Sequence, residues 1–490
     1  MSPNPEISTY DFVVLGGGSA GYAAARTAAG LGLRVAVVEG GREVGGLCIL
    51  RGCMPSKTMI ESANRFVSIR RAREFGLRAE DTRVVAPEIL ARKRRLVKEF
   101  ADYRAGQLEH GQFDFIRGLA HFTGEHRVAI RPLKGLEYET PPPAEIEART
   151  FLIATGSRIA DVPIPGLEEA GYLTSDEALE LDEYPSSILV LGAGAIGLEA
   201  AHQLAGLGCE VSVIQRCGQI MRDADEDVAG ALQRALAGQG IRFHCGTHLV
   251  RAELDPATGQ KRVWYERDGG MHSHAAQEIL FALGRQPCTD SLELHSAGVE
   301  TGPKGAVKTG DDQRSSKKHI FAAGDVCGPY EIVHIAIQQA EVAARNAARH
   351  LGKLGGTPEK TDYRLKLFAL FTEPQMALVG LTEKEARAQG IDHVAATYPF
   401  ADHGKAMVRG ETEGFVKLIS DRGTGEIIGG AAVGLEAAEL IHEVVVAMHF
   451  HGRAADLAAV PHYHPTLSEI WTYPAEELAG QAALPLPGSL

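Results

Sequence analysis

A chain of 490 residues is long enough for about three ordinary domains, and an apolar share of 44% can fill sizeable cores. The formal net charge of −13 and an isoelectric point near 5.8 argue against a main role on nucleic acid or on an anionic membrane surface. Seven cysteines at this length do not make a secreted disulfide framework, so a close pair among them reads as redox chemistry rather than as a staple.

Met1 to Thr9 carries no basic segment followed by an apolar run, so no signal peptide is expected. No apolar stretch approaches the roughly 18 residues that span a bilayer; the expected location is cytoplasmic. Asp11 to Gly16 reads as a buried strand running into glycines. Gly16, Gly18 and Gly21 form G-x-G-x-x-G, with Ser19 and Ala20 opening an alanine-rich helical pattern. A strand from Leu33 to Val38 ends at Glu39. This is the context of the dinucleotide fingerprint, in which glycines bring the backbone to a pyrophosphate at a helix N-terminus and the acid accepts ribose hydroxyls.

Next comes Gly45-Gly-Leu-Cys48-Ile-Leu-Arg-Gly-Cys53-Met-Pro-Ser-Lys57. On a regular helix the Cα atoms of residues five apart lie farther apart than the roughly 7 Å Cα reach of a disulfide. A bridge here needs a distorted helix start, for which Gly52 supplies backbone freedom. A strained, accessible bridge is the reducible kind; two buried structural thiols are the bland alternative. Further on, Arg92-Lys93-Arg94-Arg95 is the most basic run and reads as a solvated helix face. Phe151 to Ile153 is a short apolar strand ending in Ala-Thr155-Gly156-Ser157-Arg158.

The fingerprint then recurs. Ile188 to Gly192 is a strand, Gly192, Gly194 and Gly197 repeat the glycines, and a helix leads to the strand Glu210 to Ile214. From Gly16 to Glu39 is 23 positions, and the same step from Gly192 reaches Gln215. Two copies in register, each in a βαβ pattern, are a strong signal where one would be weak. Two dinucleotides are therefore expected, and the cysteine pair beside the first makes FAD there and NAD(P) at the second the economical assignment.

The last segment changes character. Leu365 to Phe371 and Phe415 to Ser420 read as strands, the latter meeting Ile427 to Val433 across the turn Asp421 to Gly425. Thr382-Glu-Lys-Glu385 is a capping box. Ala437, Leu440, Ile441, Val444, Val445 and Met448 recur at helical spacing, as a core or dimer contact requires. His462-Tyr-His464-Pro465-Thr-Leu-Ser-Glu469 follows; Pro465 suits a helix start. A histidine can take a proton from an attacking thiol, and a carboxylate can hold its ring and stabilise the imidazolium. A metal site from His449, His451, His462 and His464 is the competing reading; no metal is expected, and His462 alone reads as structural.

The cysteine segment resembles the active-site motif G-G-T-C-x-N-x-G-C-x-P-S-K of the class I pyridine nucleotide-disulfide oxidoreductases, with Leu47 in place of threonine and Arg51 before the glycine. The resemblance implies that Cys48 exchanges with substrate, that Cys53 faces the flavin as the charge-transfer thiolate, and that Lys57 near flavin N5 pairs with Glu199. It implies FAD contacts by Gly46, Gly118, Ala120, Thr155, Gly156, Ser157 and Asp325 of Ile320-Phe-Ala-Ala-Gly324-Asp325, beside Gly16, Gly18, Ser19, Ala20, Gly21, Glu39 and Lys57. It implies NAD(P) contacts by Gly192, Gly194, Ile196, Gly197, Gln215, Arg216 and Gly284 of the segment Gly284-Arg285-Gln-Pro287. His464 with Glu469 then serves the partner subunit's disulfide in a homodimer whose active site is shared. The implied fold is α/β: two doubly wound Rossmann-like dinucleotide-binding domains, FAD over 1–157 and 285–357 with the NAD(P) domain 158–284 inserted, plus a C-terminal α+β dimerisation domain over 358–490.

The histidine motif is closest to the dihydrolipoamide dehydrogenase form, and His334 with Ala336 fits that group, though Ile335 stands where lysine is usual. A small dithiol or disulfide is the expected substrate, with a lipoyl-bearing protein as a possible partner. Alternatives are a glutathione-reductase-like NADPH enzyme, a mercuric-reductase-like enzyme, against which the tail Leu484 to Leu490 counts because it has no cysteine pair, and a docking component of an acyltransferase complex. Arg51 serves an anionic substrate or is a solvated loop arginine. Gly197 is typical of NAD-binding members, yet Gln215 removes the carboxylate that repels a 2′-phosphate and Arg216 follows it, so the charge logic leans to NADP.

Overall fold

The computed structural model describes residues Ser8 to Gln481. The readings of the first seven residues and of the tail Leu484 to Leu490 lie outside the described residues. The chain divides into two compact units. The first takes the described part of Met1–Pro55 with Arg92–Asp161 and Gly284–Asp362; the second takes Ser56–Ala91, Val162–Leu283 and the described part of Tyr363–Leu490.

In the first unit the strand Ser8–Leu15 lies between Val35–Glu39 and Glu145–Ile153, all parallel. Asp114–Arg117 extends the sheet beyond Val35–Glu39, and Ile320–Ala322 pairs with the end of Glu145–Ile153. The strands are apolar on both faces because both faces are covered. Phe12 and Val14 pack on alanines of the helices Ser19–Gly30 and Val333–His350. Val13 and Leu15 pack on Phe122, Val128 and Ile130 of the antiparallel strands Leu119–Gly124 and Arg127–Arg131.

The long helix Ala86–Glu109 carries the basic run. Arg92, Arg94 and Arg95 are exposed as expected, but Lys93 is only 3% exposed. It lies on the same side as Ala86, Leu90, Val97, Ala101, Arg104 and Leu108, the stripe that a 3.6-residue period turns inward.

In the second unit Ser187–Leu191 lies between Glu210–Gln215 and Glu278–Phe281, with Arg242–Cys245 at the edge, all parallel. The strands His248–Leu254, Lys261–Arg267 and Gly270–Ala276 form an antiparallel meander. A five-stranded antiparallel sheet follows, ordered Leu367–Leu370, Gln375–Gly380, Ile427–Gly434, Phe415–Asp421, His393–Pro399. The helix Ala437–His449 buries Ala437, Leu440, Ile441, Val444 and Met448 on it, leaving Val446 exposed. Lys417, 1% exposed, ties this sheet to the start of the helix Glu226–Gly238 through Asp225 at 3.1 Å and Asp227 at 2.9 Å, with Glu383 at 2.6 Å.

Some boundaries differ from expectation: the strand expected from Leu33 begins at Val35. The strand expected from Leu365 begins at Leu367, because Tyr363–Leu365 is a 3₁₀ turn. Pro465 does not open a helix: residues 465–467 form a turn, and the next helical residues are the 3₁₀ segment Ser468–Trp471. The expected capping box is present, with the Glu385 amide donating to Thr382 Oγ1 at 3.1 Å.

Candidate active site

The two glycine turns share the same close approach where the chain reverses. A Cβ on Gly21 would stand 1.8 Å from the Gly16 carbonyl oxygen, and one on Gly197 would stand 2.2 Å from that of Gly192. Each helix therefore starts against its own turn only because those residues lack side chains. No side chain caps either helix; Gly18 and Gly194 occupy the N-cap positions, so the first-turn N–H groups point to where an anion would sit. Glu39 accepts from the Gly17 amide at 2.7 Å and from the Gly41 amide. Gln215 takes the matching place in the second unit, its Oε1 3.4 Å from the Ala193 amide. Arg216 is exposed beside it, as is Ile196 in the first turn of its helix.

Gly118 donates to the Glu39 carbonyl at 3.0 Å and leads into the strand that bears Ala120. Ser157 Oγ donates to Asp325 at 2.6 Å. Arg285 holds the same serine, Nε to Oγ and Nη2 to the carbonyl, both at 2.8 Å. Thr155 donates to the Cys288 carbonyl at 2.7 Å. Gly156, at φ 71°, and Gly284, at φ 116°, are in the left-handed region. Thus Ser157 and Asp325, 168 residues apart in sequence, meet just beyond the ends of the adjacent strands Glu145–Ile153 and Ile320–Ala322.

Cys48 lies on the short helix Gly46–Leu50, and Cys53 opens the helix Cys53–Arg70. The helix is thus interrupted between the two half-buried thiols, the distortion that a bridge at this spacing needs. Gly52 contributes differently from expectation. Its φ is not in the left-handed region, and a Cβ there would meet the Leu47 carbonyl oxygen at 3.0 Å and Cys48 Cα at 3.2 Å. Its role is close passage of the backbone past Cys48. Arg51 is paired with Glu43 at 2.7 Å, so its charge is largely matched.

One turn beyond Cys53, Lys57 Nζ stands 2.8 and 2.7 Å from the two oxygens of Glu199. Glu199 is 7% exposed and also accepts the Phe371 amide at 3.1 Å. The Lys57 ammonium lies over the Phe371 ring, 4.6 Å from its centre. Phe371 carried no signal in the sequence.

In the C-terminal part His464 Nδ1 is 3.0 Å from Glu469 Oε2. His403, fully buried, lies with Nε2 3.4 Å from the other oxygen of Glu469 without hydrogen-bond geometry. Burial holds the His403 pKa below the ordinary range, with Glu469 pulling upward and His464 downward. Sequence reading missed His403 because nothing within its own segment distinguishes it. Two of the other histidines have carboxylate partners: His462 contacts Glu443 at 2.5 Å and His451 contacts Glu426 at 2.7 Å. Among the described residues no three His, Cys, Asp or Glu side chains are gathered to hold a metal ion.

Residues 10–340 match the model of the pyridine nucleotide-disulphide oxidoreductase family, and residues 368–475 match the dimerisation domain of pyridine nucleotide-disulphide oxidoreductases. The chain belongs to this family. Dihydrolipoyl dehydrogenase 3 of Haloarcula marismortui is 35% identical over 465 residues, covering 94% of each chain. A dihydrolipoyl dehydrogenase of Bacillus subtilis is 32% identical and covers 98% of each. Mercuric reductase of Bacillus cereus is 32% identical over 94% of this chain and 70% of its own. Among solved structures, the HOCl-induced flavoprotein disulfide reductase RclA from Escherichia coli superposes with a TM-score of 0.81 at 27% identity, over 95% of this chain and 99% of that one.

The protein is thus a flavoprotein disulfide oxidoreductase that uses FAD and NAD(P). The two uncapped helix starts and their side-chain-free turns fit a pyrophosphate at each. No helix among the described residues is long and apolar enough to cross a membrane.

Proposed function

We propose that the protein catalyses electron exchange between a small dithiol, of the dihydrolipoamide type, and NAD(P), as a homodimer whose subunits share each active site. The observation that carries this reading is the presence in one chain of a cysteine pair across a helix break and an exposed histidine held by a buried carboxylate. Exposed Val446, Phe450 and Tyr463 in the part that matches the dimerisation domain support burial against a second copy. Residues 1–157 with 285–357 would hold FAD, 158–284 the nicotinamide dinucleotide, and 358–490 the partner subunit.

His464 takes the proton of the first substrate thiol. The thiolate attacks Cys48 Sγ, the bond between Cys48 and Cys53 breaks, and Cys53 leaves as thiolate. The second substrate thiol attacks the substrate sulfur of the mixed disulfide, its proton passing to the Cys48 sulfur as that sulfur leaves. A ring disulfide leaves and Cys48 is freed, so the substrate loses two electrons and the cysteine pair gains them. FAD, when bound, carries that electron pair from the cysteines to the nicotinamide. Lys57, fixed by Glu199, supplies a cation one turn along the helix from Cys53, and the fingerprint residues of each unit hold the two dinucleotides.

Gln215 with Arg216 favours NADP over NAD, since no carboxylate opposes a 2′-phosphate and a guanidinium follows. A lipoyl-bearing protein is the partner that this dithiol chemistry suits, and a cytoplasmic setting agrees with thiols that must cycle. Turnover of the FAD-loaded protein with dihydrolipoamide, measured in parallel with NAD and NADP, tests the reading. Rapid dithiol oxidation, faster with NADP, is expected; no turnover with either nucleotide rejects dihydrolipoamide.

A further inference from the structure

Two cysteines outside the active site meet in the second unit. Cys217 follows Gln215 and Arg216 just past the strand Glu210–Gln215, and Cys245 ends the neighbouring strand Arg242–Cys245, opposite Gln215. Three hydrogen bonds hold residues 246–247 across residues 215–217. The Gly246 amide donates to the Cys217 carbonyl at 2.9 Å, and Thr247 donates to the Gln215 carbonyl from its amide at 3.1 Å and from Oγ1 at 3.0 Å. The first of these fixes how far apart the two cysteines stand. The Cys245–Gly246 peptide is trans, so Cys245 Cα lies on the same side as the Gly246 N–H and close to its acceptor. Standard bond lengths then bring the Cα atoms of Cys245 and Cys217 within about 6 Å, inside the roughly 4.4–6.8 Å that disulfides span. Both thiols are half-buried and neither is bridged. Cys245 sits against the apolar core of its sheet, and burial pushes its pKa up, with Arg267 opposing and Cys217 adding. Cys217 lies between exposed Arg216 and exposed Gly218, so a dissolved oxidant meets it first.

We propose that Cys217 and Cys245 are a second redox pair, which a peroxide closes to a disulfide, and that closure weakens the hold on a nucleotide 2′-phosphate. The inference rests on the reading of Gln215 and Arg216 as the residues that face that phosphate. The Cys217 thiolate attacks the peroxide and the O–O bond breaks. Cys217 becomes a sulfenic acid, and the released hydroxide leaves as water with the proton that the thiol gave up. The Cys245 sulfur then attacks Cys217 Sγ, the S–O bond breaks, and a second water leaves with the Cys245 proton. The two thiols lose two electrons and two protons, and hydrogen peroxide is reduced to water. The bridge fixes Cys217, so Arg216, one residue away, loses the backbone freedom to close on a phosphate.

Peptide mapping and nucleotide binding on the same samples test it. The FAD-loaded enzyme, with Cys48 and Cys53 in the disulfide state, is treated with hydrogen peroxide. Its remaining thiols are alkylated and it is digested without reductant. Mass spectrometry should find a peptide pair joined through Cys217 and Cys245. By calorimetry the Kd for NADP should rise about tenfold on treatment, while that for NAD changes by less than about twofold. Dithiothreitol should open the bridge and restore the Kd for NADP. Cys217→Ser should show neither the bridge nor the change in Kd. Cys217 oxidised to a sulfinic acid while Cys245 is still alkylated would overturn the proposal, since the two thiols would then be out of each other's reach. So would a bridge that leaves the Kd for NADP unchanged, or a change in Kd that persists in Cys217→Ser. Failure of the underlying nucleotide reading would show separately, as an Arg216→Ala variant that, untreated, binds NADP and NAD as the wild type does.

Discussion

His464 Nδ1 stands 3.0 Å from Glu469 Oε2 although the His464 side chain is 79% exposed and that of Glu469 only 11%. The carboxylate is anchored in the 3₁₀ segment Ser468–Trp471, between fully buried Trp471 and the Leu467 turn. It holds the exposed ring by Nδ1, and Nε2 is the nitrogen to which the proposed mechanism assigns the thiol proton. Glu469→Gln keeps the size and burial of the side chain but replaces the acceptor pair. Dithiol turnover should fall about 10²-fold, as when a catalytic histidine loses its orienting carboxylate, with thermal stability little changed. Steady-state kinetics together with a melting curve check this; retained kcat would mean that the carboxylate does not orient the base.

Lys57 and Glu199 are a pair of unequal burial, 32% and 8% exposed at their side chains. Lys57→Met leaves the Glu199 carboxylate with the Phe371 amide as its remaining donor among these contacts. Unfolding should become easier by about 3 kcal/mol, the usual loss when one partner of a buried pair is removed. Adding Glu199→Leu to that variant should recover much of the loss, since the uncompensated charge goes with it. Urea titrations of the three proteins measure this; a double variant no more stable than the single one would contradict it.

Glu373 titrates near 7 rather than in the ordinary carboxylate range. Burial raises it first, then the nearby carboxylates of Glu411, Glu436 and Glu61, with Arg409 opposing. Its folded-state pKa lies above its unfolded one, so its contribution to stability is complete below about 4.5 and is lost as pH rises towards about 7. The wild type should therefore lose stability relative to Glu373→Gln over that window, by on the order of 2 kcal/mol. Denaturant midpoints from pH 4.5 to 7.5 decide it, and parallel curves for the two proteins would refute the assignment.

Gln215 occupies the place of Glu39 in the second unit, facing the Ala193 amide as Glu39 faces that of Gly17. Glu is isosteric there, so Gln215→Glu changes charge and little else. KM for NADPH should rise about tenfold, with KM for NADH unchanged or lower. An unaltered preference would show that Gln215 and Arg216 do not read the 2′-phosphate.

The parts of the molecule that were legible in the sequence are those fixed by local geometry. The two fingerprints could be read because a glycine must stand where a Cβ would fall 1.8 or 2.2 Å from a carbonyl oxygen, and the spacing to Glu39 and Gln215 repeats. The capping box at Thr382 and the helical stripe from Ala437 are local in the same way. Lys57 and Glu199 are 142 residues apart, and no spacing rule joins them; only the resemblance did. Lys93 and Arg104 could have been singled out, since each interrupts the stripe of Ala86, Leu90, Val97, Ala101 and Leu108 with a cation. Pro465 was misread because proline suits a helix start only where the following residues continue the helix, and here a turn intervenes. His403 is reached through Glu469 by tertiary packing alone.

Dithiol oxidation by the FAD-loaded dimer, compared between wild type and Cys48→Ser under identical conditions, bears most directly on the central claim. The account predicts a loss of at least about 10³-fold in kcat, because the proposed mechanism makes Cys48 Sγ the atom that the substrate thiolate attacks, with FAD still bound. Turnover by Cys48→Ser within a few-fold of the wild type would contradict it.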